Sequence, residues 1–84
     1  MMDRSEIFEK IQDICRDVFE DDEIIIHETT TANDIEAWDS LTHLSLMSEV
    51  EMLFDIAFTL DEQKNSKDIG ELVNTIMKHL SERG

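Results

Sequence analysis

Trp38-Asp39-Ser40-Leu41-Thr42-His43-Leu44-Ser45-Leu46-Met47-Ser48-Glu49-Val50-Glu51-Met52-Leu53-Phe54 is the stretch on which the fold turns. Leu46, Met47, Val50, Leu53 and Phe54 recur at helical spacing, which predicts one apolar stripe on a helix from about Ser40 to Phe54. Leu41, Leu44, Ser48 and Met52 fall on a neighbouring face. Asp39 stands where an N-cap belongs. Its carboxylate can accept from free backbone N–H groups, and its charge suits the positive end of the helix dipole.

Two more helical patterns flank this one. The first runs from about Ser5 to Phe19, with Ile7, Phe8, Ile11, Ile14, Cys15, Val18 and Phe19 at spacings of three, four and seven. Ser5 is its expected N-cap. The last runs from about Asp68 to Leu80, with Ile69, Leu72, Val73, Ile76, Met77 and Leu80 on one side. Asp68 and Glu71 have the spacing of a capping box, Ser66 is a rival cap, and Gly70 weakens the first turn. Residues 20–39 form a connection too long to be structureless in a compact domain. Ile24, Ile25 and Ile26 are read as apolar pegs that pin this loop, since no second strand is evident to pair with them. A shorter connection, residues 55–67, carries Ile56, Phe58 and Leu60 at alternate positions, with room for a brief helical turn around 61–65. The expected fold is all-α: a small helical bundle with one long crossover loop.

Length and charge restrict the function. Residues 1–84 are read as a single domain, with a thin core and little room for an enclosed catalytic pocket. Twenty-one acids against seven Lys and Arg give a formal net charge of -14. Such a surface repels nucleic acid and anionic membranes and attracts basic protein surfaces. The lone Cys15 allows no internal disulfide and is read as a packing residue. No segment has membrane-spanning length and no signal peptide is visible, so a cytoplasmic monomer is expected.

Ser40 is the sharpest chemical candidate. It lies at a loop-to-helix boundary that a modifying enzyme can reach. A phosphate attached there would meet unpaired N–H groups and a partial positive charge. A simpler reading makes Ser40 only a helix cap. His43 lies three residues on, on the same side, but a Ser/His nucleophile pair would lack an oxyanion hole and a shaped pocket. His43 is therefore read as an ordinary surface histidine. His27, His43 and His79 lack metal-ligand spacing, and the run Glu20-Asp21-Asp22-Glu23 lacks the ligand pattern of a calcium loop. No metal site and no catalytic residue is assigned.

Together these residues resemble the acyl carrier proteins and their peptidyl and aminoacyl carrier relatives. The resemblance covers nearly the whole chain. It rests on Asp39-Ser40-Leu41 at the head of a helix, on Phe54-Asp55-Ile56 after it, and on the first helix, long loop and last helix at matching distances. It implies a small four-helix bundle with a long loop between the first and second helices and a short third helix, and that Ser40 carries 4'-phosphopantetheine, transferred from coenzyme A by a separate phosphopantetheinyl transferase. The arm's thiol would hold an acyl or aminoacyl group as a thioester, so the protein itself is not an enzyme. Asp39 would position the modified serine and Leu41 would be read by partner enzymes that load and unload the arm. Leu44, Ser48, Glu49, Glu51 and Met52 complete the expected partner face.

In fatty-acid-synthesis carriers the positions of Thr42, Ser45 and Met52 are commonly acidic, and a small residue commonly stands where Trp38 is. These departures point to a specialised acyl or aminoacyl pathway. A housekeeping fatty-acid carrier and an unmodified acidic interaction module are the alternatives.

Overall fold

The structure is a computed structural model, and residues 3–82 of it are described. Four helices follow in order: α1 (Arg4–Val18), α2 (Ser40–Phe54), α3 (Leu60–Asn65) and α4 (Ile69–Glu82). No strand occurs among the described residues; Thr31 and Asp68 form one isolated antiparallel bridge. The all-α architecture expected from periodicity is the one observed.

The core follows from the stripes. Ile7, Ile11 and Cys15 of α1 face Leu46, Met47, Val50 and Phe54 of α2 and Ile69, Leu72, Val73 and Ile76 of α4. Burial pushes the Cys15 thiol up to about 12, so at neutral pH it is an inert packing group. Leu53 departs from the expected stripe. Phe54 takes the buried place in the last turn, and Leu53 beside it stays 47% exposed. The α1 cap also differs: Asp3, not Ser5, accepts the Glu6 N–H at 2.9 Å, and Phe19 serves as C-cap. α2 ends at Asp55, whose left-handed backbone (φ 55°) an aspartate tolerates better than most residues.

The long loop is ordered because helices on both sides consume its polar backbone. Gln12 of α1 accepts the Ile26 N–H at 3.1 Å, and Arg16 donates to the Ile24 carbonyl at 2.9 Å. The Glu28 carbonyl accepts from Gly70 N–H at 2.8 Å, and the Thr30 carbonyl from Ile69 N–H at 3.0 Å. The loop thus satisfies donors that the first turn of α4 would leave orphaned. Arg4 reinforces the junction by pairing with Glu28 and donating to Asn74. Of the three expected pegs, Ile26 is buried, Ile24 is half-buried and Ile25 is exposed, as alternation along an extended segment requires. At the head of α4, Asp68 accepts the Glu71 N–H at 2.8 Å. The reciprocal half of the expected box is shifted: the Glu71 carboxylate takes the Lys67 N–H instead.

Gly70 has a specific reason to be glycine. A Cβ placed there would lie 3.0 Å from the Glu28 carbonyl oxygen, a backbone atom fixed by its bond to Gly70 itself. Alanine normally stabilises a helix over glycine by about 1 kcal/mol. Gly70→Ala should instead lower the stability by about 1 kcal/mol, because the loop must back away from α4. Thermal unfolding of the variant checks the sign.

Candidate functional site

The head of α2 is built by Asp39 and Thr42. The Asp39 carboxylate accepts from Leu41 N–H at 2.9 Å and Thr42 N–H at 3.0 Å. The Thr42 hydroxyl accepts the Asp39 N–H at 2.8 Å and donates to the Ala37 carbonyl at 2.7 Å. This is a complete capping box with threonine in place of the usual Glu or Gln. The Thr42 backbone N–H, foremost, and then Leu41 N–H hold the Asp39 carboxyl below its ordinary range against a desolvation cost. Asp39 is therefore anionic at neutral pH.

Ser40 is the first residue of α2, exposed, and outside the capping box. The reading of Ser40 as a mere cap is thereby removed. The expectation that a phosphate there would meet free N–H groups also needs correction. The Leu41 and Thr42 donors already belong to Asp39, and the His43 N–H bonds the Asp39 carbonyl at 2.8 Å. A phosphodiester on Ser40 would sit beside an anion rather than in an empty cap.

Beneath Ser40 lies a polar link absent from the sequence reading. Trp38 is buried, and its indole N–H donates to His43 Nδ1 at 3.0 Å. Nδ1 must then be the acceptor, so Nε2 carries the proton and donates to the Gln63 carbonyl of α3 at 3.2 Å. The two rings stack 6.1 Å apart, and Phe19 packs on the indole at 5.8 Å. His43 is thus half-buried and structural, not an ordinary surface histidine. A signal for this was present: His43 precedes Leu46, Met47 and Val50 by three, four and seven residues, which places it on the core stripe.

A groove of about 620 Å³ opens between α2 and α3, with Ser40 and Leu44 on one side and Leu60 and Lys64 on the other. That volume is in the range of small-molecule sites. α3 itself buries no residue. It is held by the His43–Gln63 bond and by Glu62, whose carboxylate accepts the Thr59 N–H and pairs with His79 of α4 at 2.9 Å. The Thr59 N–H and then His79 hold the Glu62 carboxyl below its usual range.

The residues expected to form a partner face divide. Leu41, Leu44 and Met52 are exposed by 76%, 57% and 78%, and Ser48 and Glu49 are also on the surface. Glu51 is half-buried and accepts the Phe58 N–H at 2.8 Å, holding the α2–α3 connection. Leu60 of α3, outside the expected set, is 73% exposed. Among the described residues no group of three or more His, Cys, Asp or Glu side chains is placed to hold a metal ion, and no helix is long and apolar enough to cross a membrane.

Comparison with known proteins gives this arrangement a context. No protein-family model matches the chain. An acyl carrier protein of Lactobacillus acidophilus is 35% identical over 79 residues, covering 93% of this chain and 98% of its own length. The solution structure of a holo acyl carrier protein from Geobacter metallireducens superposes with a TM-score of 0.85 at 38% identity, over 92% of this chain and 88% of that one. A Mycobacterium tuberculosis structure described as a candidate acyl carrier protein gives 0.78 at 25% identity, over 86% and 96% of the two chains.

The division of labour between Asp39 and Ser40 is measurable. Ser40→Ala should change stability by no more than about 0.5 kcal/mol, since no structural bond is lost. Asp39→Ala should lower the melting midpoint clearly more, having removed the acceptor for two N–H groups. The folded Asp39 pKa lies below its ordinary 3.8, so the cap's pH-linked contribution is full above that value and lost as pH falls through the lower one. The gap between wild type and Asp39→Ala should narrow in that acid range, as read by thermal unfolding at stepped pH.

Proposed function

We propose that this chain, which belongs to the acyl carrier protein family, carries acyl or aminoacyl groups as thioesters on a 4'-phosphopantetheine arm attached to Ser40. The family consists of carriers rather than catalysts and normally bears a phosphopantetheine group. The observation that carries the assignment to Ser40 is its position. It is exposed at the first turn of α2 while Asp39 and Thr42 do the capping, so its hydroxyl has no structural duty to lose on modification. In this reading a phosphopantetheinyl transferase brings coenzyme A to the site: the Ser40 oxygen gives up its proton and bonds to the phosphorus that bears the pantetheine, the pyrophosphate P–O bond breaks, and adenosine 3',5'-bisphosphate leaves. When attached, the arm supplies a thiol for thioester chemistry. Asp39 keeps the serine at the helix head, and Leu41 stands beside it as an exposed apolar contact for partner enzymes.

The pathway we infer is a specialised one in the cytoplasm rather than housekeeping fatty acid synthesis. Support comes from the α2 face: Thr42 is committed to the capping box, and Ser45 and Met52 are exposed where fatty-acid carriers commonly place acids. Partner binding then leans on Leu41, Leu44 and Met52, with Glu49 and the overall charge steering the approach.

Incubation with coenzyme A and a broad-specificity transferase should add one phosphopantetheine to the wild type and none to Ser40→Ala, by intact mass. Peptide mapping that places the arm on Ser45 or Ser48 would overturn the assignment.

Met52→Glu tests the pathway. At 78% exposure the new charge is solvated, so stability should stay within about 0.5 kcal/mol of wild type. The variant should lose transfer rate with its cognate partner and gain it with fatty acid synthesis enzymes. An unaltered ratio of the two rates removes the specialised-face reading.

A further inference from the structure

Trp38 and His43 make a more exacting connection than filling the core requires. A leucine or phenylalanine at either position would bury apolar area with no polar atom to satisfy. Here the buried Trp38 indole donates to His43 Nδ1 at 3.0 Å, and His43 Nε2 donates to the Gln63 carbonyl at 3.2 Å. Both ring nitrogens are used, and each reaches a different element: the loop before α2, and the short helix α3. A satisfied polar chain of this kind selects one arrangement of its elements, because any other leaves a donor or an acceptor unpaired.

The chain is built around Ser40. Trp38 lies two residues before the serine and His43 three after it. The His43 N–H closes the first turn of α2 on the Asp39 carbonyl at 2.8 Å, so the imidazole is rooted in the serine's own turn. Glu62 ties α3 to His79 of α4, whereas the Gln63 carbonyl ties it to the turn that bears Ser40. No residue of α3 is buried, so packing does little to set its distance from the serine. The capping box of Asp39 and Thr42 shapes the head of α2 without using the His43 ring. The bridge can therefore be broken while Ser40 keeps its local geometry.

Resting on the carrier reading of Ser40, we propose that Trp38 and His43 are positioning residues for arm attachment. Their bridge sets the separation between Ser40 and α3, and the transferase meets the two as one preformed surface. A wall already fixed spares the docking enzyme the entropy of ordering it. Loss of the bridge therefore raises the KM for this protein, while kcat, which reports chemistry at an unmoved serine, stays largely intact. A small residue at position 38 has no N–H with which to hold the imidazole in its Nε2–H form.

The test follows arm transfer from coenzyme A by a broad-specificity transferase, read by intact mass over a range of concentrations of this protein. His43→Phe keeps a ring and loses both bonds; it should raise KM about fivefold or more with kcat within about twofold of wild type. Trp38→Phe should give a smaller rise of the same kind. His43→Gln, whose carbonyl can accept and whose amide can donate, should recover most of the wild-type KM. The Trp38 indole N–H resonance reports the bridge itself: it should move in His43→Phe and return toward its wild-type position in His43→Gln. Ile76→Val, a change in the buried face of α4, should lower the thermal midpoint and leave KM alone. Imidazole nitrogen NMR of the wild type should place the His43 proton on Nε2; a neutral ring protonated on Nδ1 overturns the proposal. So does a KM unchanged in both Phe variants, a fall in kcat alone, or a KM rise shared by Ile76→Val. A His43→Gln chain with the indole resonance restored and the KM of His43→Phe overturns it as well. Each of these leaves the carrier reading intact, whereas a wild type that gains no mass overturns both.

Discussion

The bond from Gly70 N–H to the Glu28 carbonyl, with its neighbour from Ile69 N–H to Thr30, is the constraint on which the site depends. A loop of residues 20–39 has no sheet in which to place its polar backbone. Here it caps the head of α4 instead, and in doing so it closes over the bundle. The closing fixes the path that leads to Trp38, which drops into the core, and to Asp39, which starts α2. A side chain at residue 70 would hold the two segments apart. The helix-weakening glycine therefore lets the loop that leads to α2 approach the head of α4 closely.

A second consequence concerns α3. Six residues without a buried side chain cannot hold a helix by propensity. The Thr59–Glu62 capping box starts it, and two histidines from different helices anchor it: His43 on the Gln63 carbonyl and His79 on Glu62. Both bonds are polar contacts between helices, and with no buried side chain of its own α3 depends on them. It also forms one wall of the groove beside Ser40. The wall beside Ser40 thus hangs on polar bonds, while α1, α2 and α4 share the packed core.

Much of this was legible from spacing. The α2 bounds and the core residues of α4 follow from periodicity and cap chemistry, because burial on one face leaves a direct trace in sequence, whereas the short third helix, which buries no residue, leaves no such trace. What escaped notice depended on tertiary partners. Ser5 and Asp3 are equally good caps on paper, and the chain's path decides between them. Glu51 looks like a surface acid until the Phe58 backbone turns to meet it. His43 lay on the core stripe all along, but its two ring partners come from a loop and from α3, and neither is implied by helical spacing. Leu60 carries no orienting signal, because a six-residue helix leaves too short a pattern.

Charge and apolar surface on this chain do opposite work that fits one purpose. Leu41, Leu44, Met52 and Leu60 leave a concentrated apolar area around the head and face of α2, the kind of surface that promotes association. A second copy brings the same surface and also another -14, so like-charge repulsion opposes self-pairing at long range. A basic partner feels the reverse. In the proposed function the field selects which proteins approach, and the leucines and Met52 decide which of them stay. The acids need not lie in the contact itself: Glu51 is turned to the α2–α3 junction, and Asp39 is spent on the helix cap. A carrier that must meet several enzymes and leave each one gains from that separation, because screened charge adds speed of encounter without adding a slow-breaking buried pair.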